Sequence, residues 1–210
     1  MEHQTERRSA TGHSQRSQLL RRGLVLEYIT LGWNIAGFVI VGFAAMAARS
    51  VALAGFGLDS LIEIFASVVV IWHLTSARGN KERLALQTIG AAFIALAVYI
   101  VVQTIFVFVT GGRPARSPAG IAWLTATVIA MLGLARGKLV TGRRLHNAVL
   151  IAESRVTVVD AYLAAAVLVG VALNTVTGWW WADPLAGILI AYYALVEGVA
   201  HWEEGRSGDA

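Results

Sequence analysis

Six long apolar runs separated by short polar stretches constrain this chain more than any single motif. They lie at about residues 24–47, 50–74, 86–110, 119–135, 148–174 and 182–202. A helix needs about 20 apolar residues to cross the hydrocarbon core of a bilayer. Backbone polar groups in lipid must be satisfied within the segment, so each run is expected to be a helix. The alternating pattern of a transmembrane barrel is not present. The fold class expected is all-α: a polytopic membrane protein of six transmembrane helices.

Composition agrees. Of 210 residues, 57% are hydrophobic and 14% charged, whereas a soluble domain carries roughly a quarter charged residues. The mean hydropathy is +0.64. With no cysteine in the chain, disulfides and thiolate metal sites are excluded. The net charge of +4 does not point to nucleic acid, because the basic residues are scattered between apolar runs.

Thirteen Lys and Arg fall on one side of the expected membrane: Arg7, Arg8, Arg16, Arg21, Arg22, Arg78, Lys81, Arg83, Arg136, Lys138, Arg143, Arg144 and Arg206. The other side has only Arg49, Arg113 and Arg116, and Arg155 lies inside a run. Positive residues favour the cytoplasm, so both termini are expected there. Residues 1–18 read as a flexible polar cytoplasmic tail, 19–202 as the six-helix unit, and 203–210 as a short cytoplasmic tail. "FAAMAARS" has the small residues of a signal-cleavage site, but the apolar run before it is too long for a signal peptide. Trp179, Trp180 and Trp181 fit an outer aromatic belt, Trp72 and Trp202 an inner one. Asp183 before Pro184 reads as an N-cap and first-turn proline opening the sixth helix. His73, His146 and His201 fall at the cytoplasmic boundary and read as interfacial residues.

Carboxylates inside the runs are the functional candidates, because burying a charge in a membrane needs a compensating partner. Asp59 and Glu63 share one face of the second run at i and i+4. Glu153 and Asp160 share one face of the fifth at i and i+7. At about 1.5 Å per residue, Asp59 and Glu63 lie roughly 13 and 20 Å below the outer end of their helix. Counted from Asn147, Asp160 and Glu153 lie about 20 and 9 Å above the inner end of theirs. Two rungs are expected, Asp59 level with Asp160 and Glu63 level with Glu153. Acids so close repel unless a cation or a proton joins them. A divalent metal with protons as competitors is the economical occupant, which is the chemistry of a metal–proton exchanger. Interhelical hydrogen bonding by protonated acids is the bland alternative. Asn34, roughly 15 Å into the first run, is placed to offer a carbonyl oxygen. Arg155 is expected to snorkel inward or to pair with Glu27 or Glu197.

At these residues the sequence resembles the cation diffusion facilitator family of divalent-metal efflux transporters. "GLDSLIEIFAS" is similar to that family's second-span motif, with Asp59 and Glu63 in ligand positions. "AESRVTVVDAYLAAAVLVG" is similar to its fifth-span motif, closing on Asp160, and "WADPLAGILIAYYAL" to its sixth span. The resemblance implies a metal-site set of Asp59, Glu63 and Asp160, a homodimer, alternating access, and metal efflux in exchange for protons, most naturally in the plasma membrane. It implies no enzyme activity and no cofactor beyond the transported ion. Two departures stand out. The family's ligand four residues before the fifth-span aspartate is Val156 here, on the same stripe as Asp160, and Glu153 is the expected stand-in. A cytosolic C-terminal domain does not follow Trp202, so a short form is expected. Oxygen-only ligands lean toward Mn²⁺ or Fe²⁺, and the resemblance toward Zn²⁺. A non-transporting scaffold with a degenerate transporter fold, or a proton-coupled exporter of organic cations, are the competing readings.

Overall fold

The computed structural model describes residues 2–75 and 82–207, with side chains at 16–65, 67–68, 87–147, 150–151, 153–203 and 205–206. Arg78 and Lys81, part of the charge bias, lie outside the described residues, and the side chains of Arg7, Arg8, Trp72, His73 and Arg83 are likewise not described. The described residues form six helices in order: α1 (Glu2–Ala48), α2 (Val51–Thr75), α3 (Glu82–Thr110), α4 (Pro118–Leu145), α5 (Ala148–Thr177) and α6 (Ala182–Ser207). The described residues contain no strand. Among the described residues five stretches are long and apolar enough to cross a membrane: Arg16–Ala48, Gln87–Thr110, Pro118–Leu145, Glu153–Thr177 and Ala182–Glu203. Large apolar side chains such as Phe43, Val109 and Val176 are widely exposed on the outside of the bundle. A polytopic membrane protein has this surface, since lipid is as apolar as the side chains that meet it.

The connections are short, with two residues between α1 and α2 and two between α4 and α5. Such turns force antiparallel neighbours, which puts the start of α1 and the ends of α2, α4 and α6 at one end of the bundle, called here the terminal end. Helix α3 packs most extensively on α6, and α4 on α5. Helix α2 is central and touches α1, α3, α5 and α6. Leu53, Ile100, Val167 and Ile190, all enclosed, fill the centre where α2, α3, α5 and α6 meet. Between α3 and α6 the backbones themselves touch. A Cβ on Gly90 would lie 2.7 Å from the Gly198 carbonyl oxygen, closer than any side chain tolerates.

Four sequence expectations change. Asp183 is a cap, but of α2 rather than of its own helix. It is 1% exposed, accepts from the backbone N–H of Val51 (3.0 Å) and Ala52 (3.4 Å), and is hydrogen-bonded to the Ser50 hydroxyl. Two donors at the start of α2 are thereby satisfied across the bundle. Helix α4 runs some ten residues beyond the expected end of its run at 135 and stops at Leu145, where His146 takes the left-handed conformation with φ 52°. Arg136, Lys138, Arg143 and Arg144 are thus helical rather than loop residues, and Lys138 is fully buried. The helix continues because Lys138 turns inward to Glu27, its Nζ 3.0 Å from Oε2. Glu27 is for that reason not the partner of Arg155, which is exposed, and Glu197 faces His201 at 3.7 Å. Helix α1 carries the polar stretch 2–18 in helical form; Arg16, Ser17 and Gln18 are exposed, and the apolar surface begins at Leu19.

Candidate cation site

Each acid reaches its place through helical periodicity. On α2, Asp59 and Glu63 are one turn apart on the face toward α1 and α5, alongside Ser60. On α1, Asn34 presents its amide to the same space; on α5, Asp160 does so with its carboxylate. Asn34 Nδ2 donates to Glu63 Oε2 at 2.8 Å. The Glu63 and Asp160 carboxyls lie within hydrogen-bonding reach of one another. Two carboxylates sustain that contact only with a proton or a cation between them.

These four residues line one cavity of about 10 Å³, closed by Trp33, Gly37, Phe56, Trp123, Thr127 and Met131. That is room for a single body the size of a water molecule. Of the walls, Trp33 donates to Thr127 Oγ1 at 3.2 Å, Ser60 donates to the Phe56 carbonyl at 3.1 Å, and Trp33 stacks on Trp123 at 5.0 Å, while the buried Trp123 Nε1 has no hydrogen-bond partner among the described residues. The aspartates are unpartnered on the acceptor side. Asp59, 2% exposed, and Asp160, 4% exposed, each keep a buried Oδ1 with no hydrogen-bond partner among the described residues. An orphaned carboxylate oxygen costs free energy unless a ligand uses it, and two of them border the same small cavity. The donors available to a cation are all oxygens, which suit hard and borderline divalent ions. Among the described residues no group of three His, Asp or Glu is already drawn together tightly enough to hold a metal ion.

Of the five residues expected at the site, Asn34, Asp59, Glu63 and Asp160 come together and Glu153 does not. Glu153 Oε2 lies 3.5 Å from Lys138 Nζ, away from the cavity. The two-rung picture fails on helix geometry: four residues span about 6 Å along α2, seven span about 10.5 Å along α5, so both pairs cannot be level. Glu63 pairs with Asp160 instead. Val156 is 41% exposed and does not line the cavity; Thr157, 1% exposed, faces inward between Glu153 and Asp160. The stripe is therefore 153, 157 and 160, which corrects the placement of Val156. The inner residues missed in the sequence are Glu27 and Lys138. The signal for Glu27 was present, since it stands seven residues before Asn34 on one face of an apolar run. The signal for Lys138 was hidden by its position beside Arg136 in an apparent loop.

Comparison with known proteins gives a family. Residues 28–207 match the family described as the cation efflux transmembrane domain. Over 181 residues the chain is 28% identical to sll1263, an uncharacterized transporter of Synechocystis, a match covering 80% of this chain. The same match covers 56% of that relative, so this chain spans little more than half of its length.

Proposed function

This chain belongs to the cation efflux, or cation diffusion facilitator, family of transmembrane proteins, and from that premise we propose that it exports a divalent metal ion from the cytoplasm in exchange for protons. The observation that carries the proposal is the convergence of Asn34, Asp59, Glu63 and Asp160 from three helices on one ion-sized cavity, with two aspartate oxygens unpartnered among the described residues. A divalent ion entering there exchanges its water for carboxylate oxygens, and Asn34 adds a neutral one. The cation replaces the proton that Glu63 and Asp160 need between them, so metal and proton compete for one place. That competition couples the two flows. The ion is of the Zn, Mn, Fe or Co class. Six membrane crossings, cytoplasmic termini, a homodimer and the plasma membrane complete the proposal; the charge bias and family membership support them.

Flux in proteoliposomes, read with a metal-sensitive dye, tests it. Metal uptake by the parent protein and none by Asp59→Ala, Glu63→Ala or Asp160→Ala is the expected result. No flux for the parent with any of these metals would return the chain to the scaffold reading.

A further inference from the structure

Three helices that wall the cavity repeat a charged residue seven positions closer to the terminal end. Asn34 on α1 is followed downward by Glu27, Met131 on α4 by Lys138, and Asp160 on α5 by Glu153. Seven residues are two helical turns, about 10.5 Å, so the three charges form one layer below the cavity. Lys138 Nζ stands 3.0 Å from Glu27 Oε2 and 3.5 Å from Glu153 Oε2. The Lys138 and Glu27 side chains are 0% and 1% exposed, Glu153 22%. A lysine near the end of a membrane helix ordinarily extends its amine to the water, and Arg143 and Arg144 on the next turns of α4 are exposed. Lys138 points inward instead. Even so the layer is not satisfied: two carboxylates face one ammonium, and Glu27 Oε1 is buried with no hydrogen-bond partner among the described residues.

We propose that Glu27 and Glu153 form a second cation subsite, between the cavity and the terminal end, that Lys138 occupies as a tethered ammonium until a divalent metal ion displaces it. The inference rests on the cavity above being a cation site. The acids of the layer come from α1 and α5, which also supply Asn34 and Asp160, so an ion passing between layers stays among oxygens of the same two helices. The lysine supplies one positive charge where the carboxylates supply two negative ones. A divalent ion matches them fully, and so displaces the amine more readily than a monovalent ion does. With Lys138 in place, α1, α4 and α5 are pinned together and the cavity is closed from the terminal end.

The absence of cysteine makes the test clean. Thr157→Cys puts a thiol one turn beyond Glu153 on the inward face of α5, at a position 1% exposed. In purified protein it should react slowly with a charged, water-soluble thiol reagent, and adding Lys138→Gln should raise the rate about tenfold or more by opening access. Mn²⁺ should slow that reaction again. Equilibrium dialysis with Mn²⁺ should saturate at about two ions per chain for both the parent and Lys138→Gln, the second ion binding about tenfold or more tightly once the competing amine is gone, and at about one in Glu27→Gln/Lys138→Gln. Removing one partner of a buried pair destabilises, so Glu27→Gln/Lys138→Met, which removes both charges, serves as the second background; Thr157→Cys should react fast there too. A folded Lys138→Gln protein that binds one ion and leaves Thr157→Cys unreactive overturns the proposal, as does parental reactivity in the double background. Loss of the first ion in Asp160→Asn reports on the cavity separately.

Discussion

Asp160→Asn isolates the charge of a single proposed ligand. Asparagine keeps the volume of the aspartate and an oxygen on the same carbon, so the 4% exposed site is not remodelled. What is lost is the negative charge at an oxygen that makes no other hydrogen bond among the described residues. An interaction with a charged partner is worth about 1.5–3 kcal/mol, and each 1.4 kcal/mol is tenfold in Kd, so the substitution should weaken divalent-ion binding by about 10- to 150-fold. Asp59→Asn should fall in the same range, for the same reason. Asn34→Ala removes a neutral oxygen and the 2.8 Å bond to Glu63; at about 1 kcal/mol it should cost about fivefold. Isothermal titration with Zn²⁺ and with Mn²⁺ in detergent gives the affinities, and far-UV circular dichroism verifies the helices. The ranking is the content of the prediction. An Asp160→Asn protein that binds as tightly as its parent, or an Asn34→Ala protein weaker than both aspartate variants, would refute the shared cavity site.

Three further outcomes are expected. An imposed pH gradient should drive metal into inverted vesicles and a protonophore should abolish the uptake; flux indifferent to both would remove proton exchange from the mechanism. Val156→His should leave the zinc-to-manganese flux ratio unchanged, because position 156 is 41% exposed and off the cavity; a shift toward zinc would restore it to the site. Asp183→Ala deletes the acceptor for two backbone donors and the Ser50 hydroxyl. At about 1 kcal/mol per bond it should lower the unfolding midpoint in detergent by roughly 6–12 °C, as read by tryptophan fluorescence.

The apolar runs located every helix to within a turn at most ends, because in a bilayer the length of an apolar segment is itself a structural constraint. Four of the five residues expected at the site do border one cavity, and they were legible because an acid or an amide inside such a run has few reasons to be there. Periodicity alone gave the faces of α2 and α5 but not their relative height. Assigning Glu153 to the cavity required that height, which depends on where two helices dock. Position 156 shows the same limit in rotation: residues three and four before Asp160 lie on either side of its direction, and only packing chose Thr157 over Val156. Lys138 was out of reach for another reason. Its role comes from Glu27, 111 residues earlier, and a basic residue beside other basic residues looks like a loop until its partner is found. Asp183 likewise read correctly as a cap, while the helix it caps was decided in three dimensions.

The bare contact between Gly90 and Gly198 also governs which parts of this protein are free to move past each other. Side chains between two helices act as a deformable cushion that repacks when the helices slide. Here a carbonyl oxygen of one backbone sits where the other's Cβ would be, and there is no cushion. Displacing α3 along α6 would have to lift the two axes apart before either advanced, forfeiting the closest packing in the bundle. Helices α3 and α6 therefore travel as a single rod. A Cβ on Gly170 would likewise lie 2.9 Å from the Ala182 carbonyl oxygen, so α5 is held to α6 in the same way, and slippage is left to the seams where α1 meets α2 and α4, beside the carboxylates.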